Sequence, residues 1–166
     1  MINLTEDNIN ALSPYQVSVV GGNKVVFVTD FGVRYVIVFD MDDTSLSQIT
    51  YQFVITNANN KRSPRDKKLR DTIIAIVEDF FAENNEVLLY ICETGDGKQA
   101  MRSRLFNYWF SSFAERGKYT MLQSSIKDDE GVENFFAIIS RNDNPALKDL
   151  IIEFGETISL LTQKPE

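Results

Sequence analysis

Between Tyr15 and Thr56 the apolar residues fall in short runs separated by turn formers, the pattern of closely spaced strands. The runs Tyr15 to Val20, Lys24 to Thr29, Val33 to Phe39 and Tyr51 to Thr56 are rich in Val, Ile, Phe and Tyr, whose branched or flat side chains suit a pleated surface. Gly21-Gly22 and Asp30-Phe31-Gly32 punctuate the first three, and Gly32 can take the positive φ that a short hairpin needs. Such short separations leave room only for hairpin connections, so the runs predict an antiparallel meander. Val33 to Phe39 is apolar on both alternating sets apart from Arg34, which predicts a mid-sheet strand with some cover on both faces. Ahead of the strands, Thr5 to Leu12 predicts a short helix capped by Thr5 and ended at Ser13-Pro14.

Past Asn60 the spacing changes from two to between three and four. Ser63-Pro64-Arg65-Asp66 reads as a helix start with a Ser cap, Pro at the first helical position and an acid three residues after the cap. Leu69, Ile73, Ile76, Val77 and Phe80 then form one apolar stripe. Glu86 to Glu93 is a strand, and Asp96 with Gln99 opens a second helix running to about Arg116. Tyr119 to Ile126 and Val132 to Ser140 are two further strands around the turn Asp128-Asp129-Glu130-Gly131. Asn144-Pro145 caps a final helix with the stripe Leu147, Leu150, Ile151, Phe154, Ile158 and Leu161. The order ββββαβαββα predicts an α+β fold, a mainly antiparallel sheet covered by three main helices, as a single domain over residues 1–166.

Composition narrows the chemistry. Its 166 residues, 43% hydrophobic and 25% charged, are enough for one substantial core. The chain has no histidine, which removes Ser-His-Asp and Cys-His mechanisms and most zinc sites, and leaves carboxylate–Mg²⁺ chemistry, a lysine, or binding alone. The net charge of -7 opposes broad nucleic-acid binding. The first lysine is Lys24 and no apolar run approaches the roughly 20 residues of a membrane span, so the expected location is the cytoplasm. Cys92, the one cysteine, cannot form an internal disulfide.

Three segments are candidates for a working surface. The first is the strand-to-helix junction, where Glu93, Asp96, Lys98, Gln99 and Arg102 collect near a helix amino terminus: Lys98 and Arg102 could hold a carboxylate or phosphate, or Glu93 or Asp96 could pair with Arg102 to lock the turn. Cys92 beside them reads as a buried structural cysteine, since no base is present to activate it. The second is the run Lys61, Arg62, Arg65, Lys67, Lys68 and Arg70, six cations within ten positions of an acidic chain. Cations at a helix amino terminus oppose its dipole, so local stability does not account for them; the run is either a solubilising loop and exposed first turn, as charge runs commonly are, or an anion-binding patch. Lys98, Arg102 and Arg104 would extend the patch if the two helix amino termini share a side of the sheet. The third is the aromatic helix, with Met101, Leu105, Tyr108 and Trp109 on one stripe and Phe106, Phe110 and Phe113 on the next. That arc is wider than one sheet contact needs, so the helix is either deeply buried or meets another chain.

Two resemblances add to this reading. Val36-Ile37-Val38 followed by Phe39-Asp40-Met41-Asp42-Asp43-Thr44 resembles the first motif of the haloacid-dehalogenase-like phosphatases. That resemblance implies a Mg²⁺-dependent phosphatase with Asp40 as nucleophile and metal ligand and Asp42 as general acid. Its later motifs would fall at Thr94, at Lys98 or Lys118, and at Asp128-Asp129. Over most of its length the chain is similar to small proteins of Bacteroides-type bacteria with no assigned activity. The similarity is carried by Ser13-Pro14-Tyr15, by Phe27, Thr29, Asp30, Gly32 and Tyr35, and by Asp96-Gly97-Lys98-Gln99 with Arg102, Arg104, Leu105, Phe106, Trp109 and Phe110. It implies a bacterial domain of unknown function and no catalytic residue. The expected function is therefore a non-enzymatic cytoplasmic binding module for a protein partner or an anionic ligand, with no cofactor. The alternatives are the phosphatase using Asp40 and Asp42, and a structural homo-oligomer joined through the aromatic helix.

Overall fold

A computed structural model describes residues 2–42, 48–92, 97–115 and 117–162. The elements follow in the order α1 (Glu6–Leu12), β1 (Ser18–Val20), β2 (Lys24–Val28), β3 (Arg34–Asp42), β4 (Thr50–Asn57), α2 (Lys67–Glu83), β5 (Val87–Ile91), α3 (Gln99–Glu115), β6 (Tyr119–Lys127), β7 (Glu133–Arg141) and α4 (Leu147–Thr162). The strands form a mixed, mostly antiparallel seven-stranded sheet in the order β1-β2-β3-β4-β5-β7-β6, giving an α+β fold. Residue contacts group the chain into two units, one of residues 1–40 and 53–84, the other of residues 41–52 and 85–166.

In the first unit β1, β2 and β3 form the expected antiparallel meander, with Ser18 opposite Val26 and Val26 opposite Val36. The β2–β3 turn closes through bonds from the Thr29 amide to the Val33 carbonyl and from the Gly32 amide to the Thr29 carbonyl. Gly32 holds φ +74°, where a side chain would be strained. One alternating set, Val25, Phe27, Val33, Tyr35, Ile37 and Phe39, is buried. Against it α2 lays the stripe foreseen from its spacing, and Phe80 stacks on Phe39 with ring centroids 5.2 Å apart. The other set receives only the partial cover expected for it. Val26, Val36 and Val38 are half-buried and Val28 is exposed, because α2 covers one face only and two adjacent valine-rich strands share the other.

Helix α2 begins later than its sequence signals. Asp66, not Ser63, is the N-cap, and its carboxylate accepts the Lys68 amide at 3.0 Å. Asp66 satisfies an orphan amide as Ser63 would, while the Ser63 hydroxyl accepts from Tyr35 at 2.7 Å. At the other end of the unit Thr5 precedes α1 but its side chain caps nothing; its amide instead donates to Asp79 of α2 at 2.8 Å. Burial raises the Asp79 pKa above the ordinary carboxylate range, Glu83 adds to that, and the bonds from Thr5 and Asn8 oppose it.

The sign of the resulting pH dependence is fixed. Between the ordinary and the raised value the native state holds more protons than the unfolded chain, so the Asp79 contribution to stability grows as pH falls through the folded pKa. Asp79→Asn keeps an oxygen for the Thr5 amide and removes the titration. Denaturant melts of both proteins should show the variant more stable at neutral pH, with the difference shrinking toward acid. A difference independent of pH would show that Asp79 titrates normally.

The second unit sandwiches its strands between two helices. On one face Val87, Leu89, Ile138 and Leu150 form a buried cluster, joined by Leu122, Phe136, Leu147 and Phe154. On the other, Phe106 of α3 stacks on Tyr90 at 3.9 Å and touches Phe110 at 4.5 Å. The amino terminus of α4 is fixed by Asn144, whose side chain accepts the Ala146 amide and donates to the Asn85 carbonyl. Among the described residues no helix is long and apolar enough to cross a membrane.

Candidate anion-binding site

The basic run is held on the first unit by the β2–β3 turn and the segment that leads into α2. Asn57 donates to the Lys61 carbonyl at 2.7 Å, and Asn59 bridges the Arg34 amide and the Gly32 carbonyl. Asn60 takes φ +55°, a left-handed conformation that asparagine tolerates well. The segment therefore runs along the turn instead of away from it. A side chain at Gly32 would bring its Cβ within 3.1 Å of the Lys61 amine, so the glycine serves the close approach of Lys61 as well as the turn.

Under the run lies a polar network built on Tyr15. Its hydroxyl donates to Asp66 at 2.6 Å and accepts the Asp30 amide at 3.2 Å. Lys68 reaches Asp30 at 2.8 Å with its amine 5.6 Å from the Tyr15 ring centroid. The Tyr15 pKa is pushed up to about 12, first by burial and then by the bond to the Asp66 carboxylate. Asp30 raises the pKa of Lys68 through their hydrogen bond. Arg70 in turn lies 3.0 Å from Asp71.

These contacts divide the six cations. Lys68 and Arg70 have carboxylate partners, while Lys61, Arg62, Arg65 and Lys67 are exposed and make no ion pair among the described residues. Of these, Lys67 opens α2 and Arg65 precedes its cap Asp66, where the helix dipole adds further positive potential, while Lys61 and Arg62 lie on the segment leading into it. Phe31, at the tip of the turn that carries Asp30, is 54% exposed. Tyr15, Asp30 and Phe31 were not identifiable as neighbours of this run from the sequence. They lie thirty or more positions away, and only the meander and the packing of α2 bring them to it.

The strand-to-helix candidates are in the second unit. Glu93 and Asp96 lie outside the described residues, as does the side chain of Gln99, which begins α3. Lys98 is exposed and its carbonyl accepts the Arg102 amide at 3.1 Å; Arg102 and Arg104 follow on α3, half-buried and exposed respectively. Cys92 is buried, as its sequence setting indicates. Burial raises its pKa, and the bond with Tyr90 and the charge of Arg102 only partly oppose this, so the thiol is held away from its reactive form.

Asp40 and Asp42 are part of β3 rather than a turn beyond it, and β3 runs antiparallel to β2. Asp40 is exposed, Asp42 half-buried, and Asp43 and Thr44 lie outside the described residues. No three His, Cys, Asp or Glu groups are placed to hold a metal among the described residues. The aromatic helix divides its two stripes: Phe106 and Phe110 are buried, while Met101, Leu105 and Tyr108 are exposed.

A model of a family of unknown function, DUF6169, matches residues 65–156, from the last part of the basic run into α4. No curated protein matches the chain. The match spans more than half of the sequence, and the chain belongs to that family.

Proposed function

We propose that this member of the DUF6169 family is a non-enzymatic cytoplasmic binding module whose basic run engages clustered carboxylates or phosphates on its ligand. The observation that carries the reading is the division of charge in the run. Lys68 and Arg70 are paired with Asp30 and Asp71, whereas Lys61, Arg62, Arg65 and Lys67 are exposed without an ion pair among the described residues, in a chain of net charge -7. Four such cations repel one another and cost stability, an arrangement a bound anion would relieve. Two arginines among them offer paired donors suited to planar carboxylates and to phosphate oxygens.

Retention on a heparin column tests this. The wild type should bind at low salt and elute as ionic strength rises, because exposed charge attraction is screened beyond about 10 Å at 0.1 M salt. Replacing Lys61, Arg62, Arg65 and Lys67 with Glu should abolish retention, with the circular dichroism spectrum unchanged. Competition by polyglutamate or by inorganic pyrophosphate then separates carboxylate from phosphate preference. Undiminished retention of the fourfold variant overturns the reading. So does Mg²⁺-dependent hydrolysis of a phosphate ester that is lost in Asp40→Asn, which would make the protein the phosphatase its first-motif resemblance implies.

A further inference from the structure

The two edges of the sheet are treated differently. At the β1 edge the backbone is covered by α1: the Val17 amide donates to Asn10 at 2.7 Å, its carbonyl accepts from Asn10 at 3.0 Å, and the Val19 amide donates to Glu6 at 2.8 Å. Strand β6, at the other edge, is nine residues long. The Asn142 amide bonds the Lys118 carbonyl and the Asp128 amide bonds the Val132 carbonyl, which fixes the even-numbered residues of β6 as those bonded to β7. The bond from the Cys92 amide to the Phe135 carbonyl agrees, because it commits the odd-numbered residues of β7 to β5. The amides and carbonyls of Met121, Gln123 and Ser125 therefore point out of the sheet, and they carry no hydrogen bond among the described residues.

Edge strands are ordinarily guarded by proline, an inward charge, a bulge or a covering segment. Strand β6 contains no proline, and Lys127, its last residue, is its one charge. The register with β7 also runs unbroken from Tyr119 to Lys127. We infer that β6 pairs antiparallel with β6 of a second copy of this chain, about a two-fold axis at Gln123, so that the sheet continues from one copy to the next.

Charge and register select a second copy in that alignment. With Gln123 opposite itself, all nine residues overlap and the odd-numbered, outward-bonding residues meet one another. Lys118 of each copy then lies opposite Asp128 of the other, at a non-hydrogen-bonded position where side chains approach most closely. A shift to a Leu122-centred pairing puts Lys118 against Ile126 and loses both charge pairs. A strand pair alone covers less than the roughly 1,600 Å² of a standard interface. Both α3 and α4 pack on β6 and carry exposed apolar side chains, Met101, Leu105 and Tyr108 on one and Ile152 and Leu160 on the other, from which the remaining area would come.

Analytical ultracentrifugation of the full chain across the micromolar range tests this, with amide exchange followed by NMR. A monomer–dimer equilibrium is expected. In it the amides of Met121, Gln123 and Ser125 should become more protected as concentration rises. Gln123→Pro removes one outward donor at a position where an edge strand accepts proline, and should give a folded monomer. Lys118→Glu sets like charges opposite Asp128 twice and should weaken the dimer about tenfold or more. If Gln123→Pro does not fold, Lys118→Glu and the exchange data decide. A wild type monomeric throughout, a dimer indifferent to Lys118→Glu, or exchange independent of concentration each overturns the inference.

Discussion

Phe80→Ala is expected to lower the unfolding free energy by about 3 to 5 kcal/mol, the range for truncating a fully buried phenylalanine. Phe80 has no solvent exposure, and it is held between rings: Phe39 lies parallel to it at 5.2 Å and Phe81 edge-on at 5.0 Å. Truncation removes the transfer energy of the ring, leaves a cavity that β3 and α2 can close only by moving apart from their own hydrogen-bonded frames, and forfeits the stacking itself. Equilibrium denaturation in urea reads the loss as a lower midpoint. A change below about 1 kcal/mol would mean that the first unit does not rest on this aromatic contact.

Phe106→Ala is the corresponding change in the second unit and should also cost about 3 to 5 kcal/mol. Its ring is 2% exposed and stacks on Tyr90 of β5, so it anchors α3 to the sheet. The neighbouring stripe supplies the contrast. Met101→Ala and Leu105→Ala, at exposed positions of the same helix, should each change monomer stability by no more than about 0.5 kcal/mol in dilute solution. Equal effects from the two stripes would show that α3 is buried all round and that its exposed arc does not exist in solution.

These two variants also mark how far periodicity could be read. The stripe of α2 was legible because Leu69, Ile73, Ile76, Val77 and Phe80 recur at helical spacing, with Arg70, Asp71, Glu78 and Asp79 set between them. In α3 both stripes are apolar, so spacing alone could not tell which one meets the sheet. Tyr90 settles it by presenting a flat ring to Phe106. In β3 the residues are apolar on both sides, which pointed to some cover on both faces without saying which is the core side; the Val33–Phe39 odd set is buried, while Val36 and Val38 are half-buried.

For the candidate site the basic run was visible as a run, but its division was not. Nothing in the sequence marks Lys68 as paired and Lys67 as making no ion pair among the described residues, since the partner Asp30 lies 38 positions away on a hairpin turn. The capping residue was misplaced for a similar reason. Ser63-Pro64 carries the stronger local start signal, but Tyr35 engages Ser63 and Tyr15 engages Asp66, and those long-range bonds move the first turn of α2 to Lys67.

By itself the sequence determined the class of fold, the strand and helix order and the greater part of the buried stripes, because these depend on local spacing and on turn formers such as Gly32. It also determined, through the absence of histidine, which reactions have no base to run them. The tertiary structure decided which cations are neutralised, which stripe of α3 faces inward and which sheet edge is left open. Apart from the Arg70–Asp71 pair, each of those outcomes depends on a contact between residues far apart in the chain, and a pairing of that kind leaves no periodic signal in either segment.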